Sequence, residues 1–325
     1  MHRVRRSLGS VAVAGAVLVA TATAASAPSP LPGARVVKIC AAAGPYWPTM
    51  TLALRGRSAW VACKEQARVI RVDTRSGRRT KSVRLGAPVI AVASGLGSIW
   101  ALDSGATLYR LNASSGKVVR RIALSAAAPY NIWIGGGSVW VAADQGAQVV
   151  RVSARTNRVV ARIPVGDGPA DMAFDGGTAW VVNHRDRVLS RIDLGTNRST
   201  KLATLGGDAP ERMVWARGSL WITGRGTDLL KVDPADGSLE RTIEIGASGI
   251  DVAVVGDRIL VPTRSAAVDT RGFPTMDALK SVSASSGDVS IIARTTGRVD
   301  VHGLAVQGGV LWIADNTKGR LYRIR

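Results

Sequence analysis

At 325 residues the chain has room for one large all-β domain or two ordinary ones. With 20% charged residues, 46% hydrophobic residues and 36 glycines, the composition is globular and turn-rich, which excludes a disordered chain. A net charge of +20 points to anionic partners (cell-wall polymer, anionic lipid or nucleic acid) or serves solubility alone.

The N-terminus reads as a processing segment. Arg3, Arg5 and Arg6 form a basic start, Ser10 to Ala20 is an apolar run too short to span a bilayer, and Ala25-Ser26-Ala27 is a cleavage pattern. Residues 1–27 are therefore expected to be a signal peptide. The mature chain would be secreted or cell-envelope associated, with no stable membrane insertion after cleavage. It would keep 40 Lys+Arg against 23 Asp+Glu, a net +17.

From residue 28 onward the chain repeats. Trp60, Trp100, Trp140, Trp180, Trp221 and Trp312 recur at intervals of about 40 residues, and Leu260 takes the tryptophan position in one more unit. That gives seven units. Each reads as four short strands: one about eight residues before the tryptophan, the tryptophan strand, a Val-x-Arg-x-Asp strand, and an outer strand such as Arg158 to Ile163. Gly-Ser, Gly-Gly, Thr-Asn and Ser-Gly pairs separate them at turn spacing. The expected fold is all-β: residues 28–325 form a single seven-bladed β-propeller with four-stranded blades. Only two strands follow Trp312, and Ala34 to Ile39 resembles Asn157 to Arg162, so the N-terminal strand is expected to close the ring by pairing in the last blade.

The segment NRVVARIPVGDGPADMAFDGGTAWVVN, Asn157 to Asn183, is similar to the YVTN-type and virginiamycin B lyase-like β-propellers of bacteria. The resemblance covers roughly residues 34–325. It is specific for fold and less so for activity, because that group includes binding proteins, sensor domains and proteins of no assigned role. His302-Gly-Leu-Ala followed by Trp312-Ile-Ala resembles the last blade of the lyase. The resemblance implies a general acid/base role for His302 and a magnesium site near Asn316, with Asp315 beside it. Histidine suits proton movement at neutral pH. Magnesium prefers at least one carboxylate, which Asn316 does not offer.

The repeat supplies an internal control, since what recurs in every unit serves the blade. The tryptophans are expected to pack between blades. The third-strand cations, among them Arg71, Arg110, Arg151 and Arg191, read either as blade-to-blade ion pairs with acids such as Asp73 and Asp193 or as a basic ring for an anionic polymer. Two variable sets converge at one end of the channel. One leads into the inner strand (Asn131, Asp171, Arg212, Asp251 and His302). The other follows the tryptophan strand (Asp103, Asp144, His184, Arg264, Asp315 and Asn316). Together they read as a polar ligand site for a small molecule or peptide, or as a solvated rim. Asp103, Asp144, Asp171 and Asp251 are also the carboxylates a sugar hydrolase would need.

Two stretches break the repeat at that same end. Arg264 to Ala278 is about ten residues longer than its counterparts and carries Phe273, Pro274 and Met276, which suits a lid or a tolerated insertion. Cys40 to Met50 adds Tyr46 and Trp47, and Cys40 and Cys63 both end strands pointing to this end. Their even count in an exported chain favours a disulfide. No G-x-S-x-G, H-E-x-x-H or P-loop is present. The sequence thus favours a monomeric, secreted binding or scaffold propeller needing no cofactor. The alternatives are a magnesium-dependent lyase using His302, or a binder of anionic cell-envelope polymer or nucleic acid.

Overall fold

The computed structural model describes residues 31, 34–40, 51–126, 128–268, 274–296, 299–315 and 318–324, with backbone only at 265–268, 274 and 302. The expected signal peptide, Tyr46, Trp47, Phe273 and Asn316 lie outside the described residues.

The described strands form seven four-stranded antiparallel sheets, each in sequence order except the last. Blade 1 is Leu52–Arg55, Ser58–Cys63, Arg68–Asp73 and Arg79–Arg84. Blades 2 to 6 repeat this plan. Blade 7 is Val301–Gln307, Val310–Asp315 and Arg320–Ile324, completed by Arg35–Lys38, which pairs antiparallel with Arg320–Ile324. The N-terminal strand therefore closes the ring. The tight turn before the tryptophan strand of blade 3 holds positive φ at both central positions, supplied by Gly136 (φ 52) and Gly137 (φ 69). Gly135 has a different reason: a Cβ there would stand 2.2 Å from the Phe174 ring of blade 4.

The tryptophans do pack between blades. Trp60 is fully buried among Val89, Ile99 and Leu111 of blade 2, and Trp140 among Met172, Val181 and Ile192 of blade 4. Trp312 closes the circle against Leu52, Ala59 and Val61 of blade 1. The seam between blades 6 and 7, where Leu260 replaces tryptophan, is filled by Leu31 from the N-terminal segment and by Met276. Met276 thus belongs to the core instead of the apolar loop tip expected from sequence. The long stretch around it is a hairpin extension, with Arg264 opposite Met276 and Val268 opposite Pro274.

The third-strand cations correct the ion-pair expectation. Arg151 lies over the Trp140 ring at 5.0 Å, donates from Nε to Ser138 Oγ, and reaches blade 4 through Nη1 to Leu194 O and Asn197 Oδ1, each at 2.6 Å. Arg71 and Arg110 act alike, donating to Ser114 O and Ala154 O of the following blades. Their partners are turn carbonyls, not the acids two residues on. Asp73 instead accepts from Arg75 N and Ser76 N and so closes its own turn. Cation and aromatic face make a repeated clamp across the seams.

Cys40 and Cys63 form a disulfide with Cα atoms 5.6 Å apart. It ties the end of the closing strand to the second strand of blade 1, across the seam where the ring begins and ends.

A latched channel mouth as candidate binding site

In blades 2, 3, 4, 5 and 7 the inner strand starts with a bulge. In blade 4, Pro169 pairs with Asn183 but Asp171 with Val182, so Ala170 is the extra residue. A bulge re-aims the next side chain, which is how such strands position groups at a rim. It also shifts the alignment read from sequence. Val301 faces Asp315 and Gly303 faces Ala314, so His302 stands in register with Glu211, Tyr130 and Ala170, while Gly303 matches Arg212 and Asp171. His302 is described in its backbone only.

Asp171 is buried and bound on both oxygens. Oδ1 accepts from Met172 N (2.7 Å) and Trp133 Nε1 (2.6 Å), and Oδ2 accepts from Met213 N of blade 5 (2.9 Å). Asp251 repeats the pattern, accepting from Val252 N (2.9 Å) and from Leu304 N of blade 7 (3.0 Å). Thr51 does the same between blades 1 and 2, its Oγ1 accepting from Val92 N at 2.9 Å. These residues are latches between blades. Burial pushes the Asp171 carboxyl up to about 6, helped by Asp251 and opposed by Arg212 and the amides. Asn131 Oδ1 accepts from its neighbour Ile132 N (2.8 Å), and among the described residues it makes no latch to the next blade.

Arg212 sits between the two aspartates. Burial disfavours its charge, but Tyr130, Asp251 and Asp171 outweigh that and hold the guanidinium above its ordinary value. Its Nη2 lies 3.5 Å from Tyr130 Oη, a contact from blade 5 to blade 3 across the mouth. Beside it Glu211 accepts from Arg225 at 2.8 Å and from Arg264 of blade 6 at 3.3 Å. Burial would raise Glu211, but Arg225, Arg264 and Arg212 prevail and it titrates below its usual range. Tyr130 and Glu211 were missed in the sequence. Both follow a proline that starts an inner strand, as Ala170 follows Pro169, and that Pro-x pair was the available signal.

The second set divides in two. Asp103 and Asp315 turn into their own blades and are buried, as do Asn183 and Thr263 at the same position of blades 4 and 6. Asp103 accepts from Tyr109 Oη at 2.9 Å and from Thr107 N, and Asp315 accepts from Tyr322 Oη at 3.1 Å and from Asp300 N. Cys63 holds the same register position, so the shared task is pinning the loop beyond. Burial raises the Asp315 carboxyl to about 6. One residue further out the side chains reach the rim. Asp144 is neutralised by Arg185 at 2.5 Å, which also pairs with Asp167 at 3.0 Å. His184 Nδ1 contacts Gly168 O at 2.8 Å.

The four aspartates considered as hydrolase carboxylates are therefore dispersed into two latches, one loop pin and one rim ion pair. Among the described residues no three His, Cys, Asp or Glu gather as a metal set. Asp315, held by Tyr322 inside blade 7, does not fit a magnesium ligand at the mouth.

No family model matches the chain, and no curated protein matches it. Among solved structures, virginiamycin B lyase from Staphylococcus aureus is similar with a TM-score of 0.74 at 14% identity, over 89% of this chain and 98% of that one. A chain from a mitotic checkpoint complex is similar with a TM-score of 0.77, also at 14% identity, over 98% of this chain and 99% of that one. At such identity the likeness is one of fold, and the fold is the seven-bladed β-propeller.

Proposed function

We propose that this chain is an exported, non-catalytic binding propeller whose outer belt holds an anionic cell-envelope polymer. The supporting observation is the distribution of charge over the outer strands. Arg35–Lys38, Arg79–Arg84, Val118–Ala123, Arg158–Pro164 and Arg198–Thr204 carry two, three, two, two and two Lys or Arg, eleven in all and every one exposed, with no Asp or Glu. They belong to blades 7, 1, 2, 3 and 4, which are consecutive around the closed ring. Blade 5 differs: Leu239–Glu244 carries one cation and two acids. None of the eleven takes part in an ion pair among the described residues; Arg35 and Arg79, for example, donate to main-chain carbonyls. A belt of uncompensated cations attracts a polyphosphate or polycarboxylate.

The belt favours a polymer read by its backbone charge over single-stranded nucleic acid. The one exposed aromatic among the described residues is Tyr130, which sits at the mouth, so the belt offers no stacking platform. The leader pattern and the disulfide support an extracellular setting, and no helix of the described residues is long and apolar enough to cross a membrane. The test is charge reversal by sector. Arg79→Glu with Lys81→Glu and Arg84→Glu should weaken binding of purified wall teichoic acid about tenfold or more, while Arg241→Glu on blade 5 should not. Equal loss from both sectors would refute the belt.

A second reading places a small polar ligand at the mouth, carried by the Tyr130–Arg212 contact and by Glu211 with its two cations, of which Arg225 is exposed. Ligand protection of Tyr130 fluorescence in wild type but not in Tyr130→Phe would support it. The lyase reading rests on the resemblance around His302 alone. Ester cleavage with magnesium, lost in His302→Ala, would be required to adopt it.

A further inference from the structure

The seven outer strands provide their own comparison. Six of them carry two or three charged residues each, while Val289–Arg294 carries one, at its last position. Natural proteins guard free sheet edges with charge. This edge, outermost in blade 6 and paired on one side by Pro274–Ser283 with a bulge at Ile292, has no charge from Val289 to Ala293. It exposes Val289, Ile291 and Ile292 at 40%, 44% and 48%.

We propose that this strand pairs antiparallel with the same strand of a second copy, about a two-fold axis at Ile291. In that register Ile291 faces its own copy, Ser290 faces Ile292, and Val289 faces Ala293. Asp288 and Arg294 are both exposed and lie three residues on either side of the axis, so each end of the pairing sets an acid against a cation. The edge is complementary to itself in charge as well as in apolarity, which is what an isologous interface requires. On the blade 5 side the neighbouring outer strand carries Glu240 and Glu244, which offset part of the repulsion between two strongly basic chains, while the blade 7 side carries Arg35 and Lys38. Two rings joined here carry their basic belts on opposite flanks. If the belt holds a polymer, the dimer grips it twice and gains avidity; the dimer itself does not depend on that reading.

Sedimentation of the full mature chain tests this. Wild type should show a concentration-dependent monomer–dimer equilibrium, and Ile291→Lys should be monomeric with unchanged circular dichroism. Asp288→Arg alone, or Arg294→Asp alone, sets like charges against each other at both ends and should weaken the dimer about tenfold. The two together restore opposite charges and should restore the dimer. A wild type that stays monomeric at every concentration, a dimer that survives Ile291→Lys, or a double swap weaker than either single one would overturn the proposal.

Discussion

Reducing the Cys40–Cys63 bond should loosen the ring at its closure seam. The two cysteines are 23 residues apart in sequence, and both are buried. Cross-linking a loop of that size stabilises the fold by roughly 3 kcal/mol through the restricted unfolded chain. The geometry adds a local effect. Cys40 follows Arg35–Lys38, the only strand that joins blade 7 from the far end of the chain, and Cys63 lies in blade 1. Without the bond, Arg35–Lys38 is held to blade 7 by its ladder with Arg320–Ile324 and to blade 1 by Arg35 donating to Arg75 O and Ser76 O. A loss of roughly 3 kcal/mol corresponds to a fall in melting temperature of about 5 °C for a domain of this size. Thermal melts with and without a phosphine reductant measure it, and the Cys40→Ala/Cys63→Ala variant controls for side effects of the reagent. Limited proteolysis should then cut first before Arg35. An unchanged melting temperature in both arms would refute the idea that the bond secures the closure.

Acidity offers an independent readout. Asp171 and Asp315 both titrate near 6 in the fold against 3.8 normally, so the folded state binds more protons between those values. Their contribution to stability is therefore full below about pH 4 and is lost as pH rises to about 6, on the order of 3 kcal/mol each at most. Asp73, Asp193 and Glu211 are shifted the other way and oppose this trend. The measurable quantity is consequently the difference between wild type and Asp171→Asn, which should flatten the fall in urea midpoint from pH 4 to 7; parallel curves would contradict the burial of this charge. Arg151→Ala should cost about 3 kcal/mol, because it removes two charge-assisted hydrogen bonds and a ring contact. The exposed Arg158→Ala should cost less than about 0.5 kcal/mol, and equal melting temperatures would argue against the seam clamp. Arg212→Met leaves Asp171 and Asp251 facing each other without their shared cation, and should lower stability at pH 7 by about 3 kcal/mol, less at pH 4; a loss independent of pH would show that Arg212 only packs.

The ring was legible because its signal is redundant. Six tryptophans and one leucine mark seven seams, and the stray strand Arg35–Lys38 matches the outer strands of other units in pattern. The disulfide followed from where two strand ends fall. The rim was harder for a specific reason. A bulge adds one residue that a count back from the tryptophan does not reveal, so His302 reads as the partner of Arg212 when it stands in register with Glu211. Asp103 and Asp315 looked like rim acids because they lie three residues past a tryptophan, but strand alternation turns them inward to tyrosines that follow six and seven residues later. The belt was invisible in the overall charge, since a net value does not say which strands hold it.

The most direct test of the central claim is the salt dependence of polymer binding by the intact chain. Purified wall teichoic acid, titrated from about 50 to 200 mM salt, should bind with log K falling linearly against log salt, the slope reflecting the number of anionic groups neutralised. The triple reversal at Arg79, Lys81 and Arg84 should make that slope shallower. No binding at low salt, or an affinity indifferent to salt, would contradict the account.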